Sequence, residues 1–248
     1  GMNYEDRAEP FEGASGIVHP LLAESVTQFQ AQAYRELLPA GGPVKTAIIG
    51  QETPEVTAQA ERVKNFMNYQ ITYEMEEYDP ELDQMLFYLP IVGSSFKKVY
   101  FDPSLQRAVS KFVHAEDLIV PYNATDLKTS TRICHVIRMD SNEIRKLQLS
   151  GFYKDIELPT SDSDGANYDE VRETIKDIEG IHSESSYNEE LTLYEIHTDL
   201  DLPGFEDQNQ MGENTGLKMP YIVTIVEKSG EVLSIKRNFN EADPLRSK

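Results

Sequence analysis

The chain has 248 residues, of which 39% are hydrophobic, and its 43 acidic and 23 basic side chains leave a formal net charge of −20. That length buries one sizeable core or two modest ones. An acidity of this size repels phosphate over most of the surface, which makes a sequence-reading DNA-binding domain a poor fit, and it equally serves solubility.

The lone cysteine, Cys134, rules out an internal disulfide and suits a reducing cytoplasm. The longest apolar run, around Met85 to Gly93, falls far short of the roughly 20 residues that span a membrane. No signal peptide is evident, and Gly1-Met2 reads as the remnant of an expression tag.

Residues 1–20 are polar and glycine-bearing and read as a flexible arm. A helix follows with Leu22, Val26, Phe29, Ala33 and Leu37 on one face, stopped by Pro39 and Gly41-Gly42-Pro43. Val44 to Ile49 is strand-like. Thr53-Pro54 opens a long helix in which Val56, Ala60, Val63, Met67, Ile71 and Met75 recur at three and four, about 35 Å at 1.5 Å per residue.

Asp79 can cap a third helix whose first residue, Pro80, has no N–H to leave unpaired. Leu82, Met85, Leu86 and Leu89 line its face, and Pro90 and Gly93 end it. Period two follows: Phe96, Lys98 and Tyr100 point one way and Lys97, Val99 and Phe101 the other, before Asp102-Pro103 turns the chain into Ala108 to Val113 as a β-hairpin.

Arg132 to Arg138 reads as a strand, and Asp140-Ser-Asn-Glu143 has capping-box spacing for a short helix ended by Gly151. Pro159 to Asn167 is rich in Ser, Asp and Gly and reads as a linker; Tyr168 to Ile178 reads as a short acidic helix. From Leu191 the pattern is β: Leu191 to Thr198, Tyr221 to Val226, a Lys228-Ser-Gly-Glu231 turn, and Val232 to Arg237. These elements predict an α+β fold of long helices packed with antiparallel hairpins. The expected division is an arm at 1–20, an α+β core at 21–158, an acidic linker with a short helix at 159–190, and a β-rich portion at 191–248.

Glu195-x-His197-x-Asp199 is the sharpest catalytic-looking group, since alternate strand residues share a face and these types ligate divalent metals. A metal-dependent hydrolase centred on His197 is the enzymatic reading; a solvated polar face is the plainer one. Asp162-x-Asp164-Gly165 hints at a calcium loop, but Thr160 and Val171 stand where its first and twelfth ligands belong, so a flexible acidic linker fits better. His135, alternating with Ile133 and Ile137, reads as a core or edge histidine. His114 beside Glu116 and Asp117 suggests a local charge pair, while His19 and His182 belong to no constellation. Cys134 reads as a small buried thiol.

No phosphate-binding glycine loop and no paired-histidine zinc motif is present. Lys97 and Lys98, amid Phe96, Tyr100 and Phe101, suit DNA contact through charge and stacking. On opposite strand faces they also suit edge protection or snorkelling.

A resemblance runs through consecutive blocks. The longest is Asp79-Pro-Glu-Leu-Asp-Gln-Met-Leu-Phe-Tyr-Leu-Pro-Ile-Val-Gly-Ser-Ser-Phe-Lys-Lys-Val-Tyr-Phe-Asp-Pro with Arg107-Ala-Val-Ser-Lys-Phe-Val-His-Ala-Glu-Asp-Leu-Ile-Val-Pro-Tyr-Asn. Before it come Val26-Thr-Gln-Phe-Gln-Ala-Gln-Ala-Tyr and Glu36-Leu-Leu-Pro-Ala-Gly-Gly-Pro-Val. After it come Leu193-Tyr-Glu-Ile-His, Asp199-Leu-Asp-Leu-Pro-Gly-Phe-Glu-Asp and Met219-Pro-Tyr-Ile-Val-Thr-Ile. In wording and order these resemble the portal, or head-to-tail connector, proteins of short-tailed bacteriophages.

The resemblance implies a virion protein made in the host bacterial cytoplasm that assembles into a ring of about twelve subunits at one capsid vertex. Its axial channel would pass double-stranded DNA, without sequence recognition, during packaging and ejection. The implied partners are the packaging ATPase (terminase), capsid or scaffolding protein and a tail adaptor, with no membrane. ATPase activity belongs to the partner, so no catalytic residue, metal or cofactor is implied in this chain. The stem helices and clip of a whole portal are missing, so the expectation is an N-terminal wing fragment. A free acidic adaptor or DNA mimic is the remaining alternative.

Overall fold

Helices form where apolar residues recur at three and four, and strands where burial alternates, giving a mixed α+β fold in the computed structural model, which describes residues 11, 19–102, 105–159, 190–209, 211–239 and 242. The chain divides into two compact units, Gly1–Ala115 and Glu116–Lys248.

The first unit holds helices α1 (Leu21–Leu37), α2 (Pro54–Tyr69) and α3 (Tyr78–Val92), then strands β1 (Phe96–Asp102) and β2 (Arg107–Val113). The strands form the expected antiparallel hairpin, in register from Phe96↔Val113 to Asp102↔Arg107. α1 packs on α3 and α3 on β2, with Val26, Leu82, Leu86, Val109 and Val113 buried. Gln30 ties α1 to α3 through the Asp83 carboxylate at 2.7 Å, and the Tyr34 hydroxyl donates to Asp79.

Several boundaries differ from the sequence reading. Val44 to Ile49 forms no strand; in place of a partner strand, the Asn68 amide accepts from Val44 N at 2.9 Å and donates to Val44 O at 3.2 Å. One amide can pair one residue only, so no ladder propagates. Thr53 caps α2 as expected, its Oγ1 accepting from Val56 N, with Pro54 at the first helical position. The α-helix stops at Tyr69, however, and a π-turn over Gln70–Glu74 completes the long element, closed by Met75 N donating to Gln70 O at 2.8 Å.

The N-cap of α3 is Glu77, not Asp79, which puts Pro80 at the third position. A proline is tolerated there because the first N–H groups of a helix have no internal acceptor. Pro90 lies inside the last turn instead of ending it; Gly93, at φ +82°, ends the helix, its N–H bonded to Leu89 O at 2.8 Å.

The second unit is a five-stranded antiparallel sheet in the order β3-β4-β5-β6-β7, made of Leu118–Ile119, Arg132–Asp140, Glu190–Leu200, Met219–Val226 and Val232–Arg237. Helix α4 (Ser141–Leu149) follows β4, and its Ile144 joins Tyr153, Leu191, Leu193, Val226 and Leu233 in the core, with Leu147 packed against them. Gln148 donates to the carbonyls of Lys154 and Ile156, holding the chain after α4 along the sheet. Asp140 occupies the N-cap but its side chain makes no capping bond, so the capping box read from the sequence is not formed.

β4 and β5, between which come α4 and residues 150–189, pair directly from Arg132↔Thr198 to Asp140↔Glu190. The segment read as a linker therefore joins neighbouring strands of one sheet. The expected helix at 168–178, the Asp162-x-Asp164 loop and His182 lie outside the described residues. Among the described residues no helix is long and apolar enough to cross a membrane.

Candidate functional site

The lysines of β1 diverge. Lys97 folds back onto α3, its Nζ 3.6 Å from the centre of the Tyr78 ring and sealed from solvent. Burial lowers its pKa below the usual lysine value, against the opposing pull of the Glu81 carboxylate. Lys98 lies on the other face, 5.3 Å over the Tyr100 ring. The two amines do not converge on one basic surface.

β2 carries an unusual edge. Alternate main-chain N–H groups point away from β1, and two of them meet carboxylates of α3: Ser110 N donates to Glu77 at 3.2 Å and Phe112 N to Glu81 at 2.6 Å. Four residues of helix climb about 6 Å and two residues of strand about 6.8 Å, so acids one turn apart match alternate strand positions. Arg107 completes the arrangement, pairing with Glu77 at 2.8 Å. Burial raises the Glu77 pKa, but bonds from its own N–H, the Arg107 guanidinium and Ser110 N outweigh it and hold the carboxyl below its ordinary value.

The Glu195-x-His197-x-Asp199 group stands on β5, and His197 Nε2 lies 3.0 Å from Glu195 Oε1. Among the described residues no set of three or more His, Cys, Asp or Glu side chains converges to hold a metal ion. Glu195 instead belongs to a polar row crossing the sheet, from His135 through Glu195 and Thr224 to Ser234, where the Ser234 hydroxyl donates to Thr224 Oγ1 at 3.2 Å.

His114 does not form the expected charge pair. Its ring packs 4.7 Å from Tyr88 and 4.5 Å from Phe112, while Asp117 pairs with Arg138 at 2.6 Å. The rings of Tyr88 on α3 and Phe112 on β2 hold the imidazole, and of the two acids Asp117 is buried against Arg138 while Glu116 stays exposed. Cys134 is buried, and burial raises its thiol pKa, with Arg132 pulling it down and Glu195 up.

The broadest chemical feature of the first unit is its open apolar helix surface. No residue of α2 is buried, and among the described elements only the π-turn that continues it packs appreciably against it. Val56, Val63 and Met67 stay exposed on the stripe read as a core face. Phe66, Tyr69 and Tyr73, at spacings of three and four, make a second stripe, with Phe66 59% and Tyr73 75% exposed and Tyr69 stacked on Tyr73 at 5.9 Å. α1 adds Leu22, Phe29 and Leu37 from its own predicted core face. Apolar side chains left open together on one unit characterise contact surfaces.

The sequence reading missed that second stripe, although its spacing is present in the chain. It also missed the Glu77 and Glu81 seal, whose signal is a pair of acids four apart ahead of an alternating strand. Neither a protein-family model nor a curated protein matches the chain.

Proposed function

We propose that this chain is a structural subunit of a phage portal ring, the conduit for double-stranded DNA at one capsid vertex, and that it acts in the virion. The ordered sequence blocks between about Leu21 and Arg237 motivate the reading. The observation that carries it is α2, a helix with apolar stripes and no buried residue. A helix gains most of its stability from packing an apolar face, so such a face calls for a neighbour, and subunits of a ring supply one to each other.

Acidity fits the same role. A passage that bound phosphates tightly would hold DNA in place, whereas net repulsion lets it slide. The terminase, capsid or scaffolding protein and tail adaptor are the partners of this reading.

Electron microscopy of the full product of the gene, classified for particle symmetry, tests it. Rings with an axial opening are the expected outcome. A homogeneous monomer or dimer across a range of salt and protein concentrations would overturn the proposal, and a basic channel wall in an assembled ring would remove the sliding argument alone.

A further inference from the structure

We propose that β1 is a second contact surface, and that its occupant is β1 of another copy of this chain, paired antiparallel about a two-fold axis at Val99.

The hairpin has two edges. That of β2 is sealed by Glu77 and Glu81, whereas β1 has no other strand beside it among the described residues. The seal fixes the hydrogen-bonding phase. Because Ser110 and Phe112 turn their N–H groups away from β1, their register partners Val99 and Lys97 turn theirs away from β2, and so by alternation does Phe101. Lys97, Val99 and Phe101 thus offer main-chain donors and acceptors along the open edge.

Those three residues are centred on Val99, which is what a two-fold pair requires. With Val99 opposite Val99 of the second copy, Lys97 faces Phe101, Lys98 faces Tyr100 and Phe96 faces Asp102. Each lysine position faces an aromatic residue and not another lysine, so no like charges are opposed. Any register shifted by one would put main-chain groups out of phase. The pairing would also cover Val99 and Phe101, 65% and 61% exposed and on the same face.

Lysines on an edge strand ordinarily obstruct pairing. Here neither amine is stationed beyond the edge: Lys97 is folded onto Tyr78 and Lys98 lies over Tyr100. The contact is also self-limiting. Once the two β1 strands pair, the four-stranded sheet ends on both sides at a β2 whose edge is sealed, so pairing through this sheet stops at two copies. This isologous contact is separate from the head-to-tail contacts that close a ring, and it does not depend on the portal reading.

The test is the mass of the purified chain by light scattering up to about 100 µM, for the wild type, Val99→Lys and Val99→Cys. The expected result is a dimer, twice 28.2 kDa. Val99→Lys, which sets two ammonium groups against each other at the axis, should weaken dimerisation at least ten-fold while leaving the melting temperature unchanged at concentrations low enough that both proteins are monomeric. Val99→Cys should cross-link to a covalent dimer on mild oxidation, since a hydrogen-bonded antiparallel pair holds its Cα atoms about 5.5 Å apart, within disulfide range. A wild-type monomer at every concentration overturns the proposal, as does a dimer that Val99→Lys leaves intact and Val99→Cys fails to cross-link. Should Val99→Lys not fold, slower amide exchange at Lys97, Val99 and Phe101 on raising the wild-type concentration supports the contact, and concentration-independent exchange there refutes it.

Discussion

The Glu81 carboxylate accepts the main-chain N–H of Phe112 at 2.6 Å, so a helix side chain occupies the place on the edge of β2 that a third strand's carbonyl would take. A charge-assisted bond of this kind contributes about 1.5–3 kcal/mol, more than an ordinary ladder bond. Glu81→Ala should therefore destabilise the first unit by about 2 kcal/mol and raise amide exchange at Phe112 above that at Val113. Urea melts and residue-resolved hydrogen exchange check both, and unchanged exchange at Phe112 would show that the bond is not kept in solution.

Glu77 makes stability depend on pH in a defined direction. Its carboxyl is held below the ordinary 4.5, so the unfolded chain binds its proton first as pH falls, and the stabilisation is complete above about that value. It should be lost as pH drops through the lowered pKa. Urea midpoints from pH 6 to pH 3 should fall more steeply for the wild type than for Glu77→Gln, and parallel curves would show that the Arg107 pair contributes nothing.

At Gly42, φ is +91°, and an added Cβ would lie 2.5 Å from Asn68 Cγ and Oδ1. Gly42→Ala should expel the Asn68 amide from its two bonds to Val44 and cost about 1–3 kcal/mol, combining backbone strain with the lost bonds. Asn68→Ala should cost less, because it removes the bonds without the strain. Thermal melts of the two variants decide the order.

Phe66 is exposed in a single chain, so Phe66→Asp should change folding stability by no more than about 0.5 kcal/mol. If α2 forms a subunit contact, the same change should abolish assembly of the full gene product into rings. Melting temperature and particle counts by microscopy separate the two effects.

Cys134 sits in β4 opposite Ile196 and is buried. Its thiol should react with a disulfide reagent at pH 8 at least ten-fold more slowly in the native chain than in urea, since the thiolate is the nucleophile and burial disfavours it. Equal rates would mean that β4 opens readily.

Periodicity carried most of the fold. The α3 stripe of Leu82 and Leu86, the alternation of β1, and the β4 to β7 strands all stand near their predicted positions, because each bears its signal within a few residues. What was not legible depends on partners distant in sequence. Glu77 answers to Arg107, 30 residues on, and Val44 to Asn68, 24 residues on. Nor can a three-four spacing tell whether anything covers the stripe: Val26 and Phe29 share one face of α1, yet Val26 is 2% exposed and Phe29 42%. The Glu195 and His197 pair was readable as a shared face, but its place in the row with Thr224 and Ser234 comes only from strand register.

The carboxylate seal on β2 has a bearing on colloidal behaviour. The chain's net charge vanishes near pH 4.6, where mutual repulsion no longer keeps copies apart and bare strand edges become sites of precipitation. Glu77, whose pKa is held below its ordinary value, keeps more of its charge there than an ordinary glutamate would, and with it the bond to Ser110 N. The Ser110 position of that edge is thus better kept covered at the acidity where self-association is least opposed.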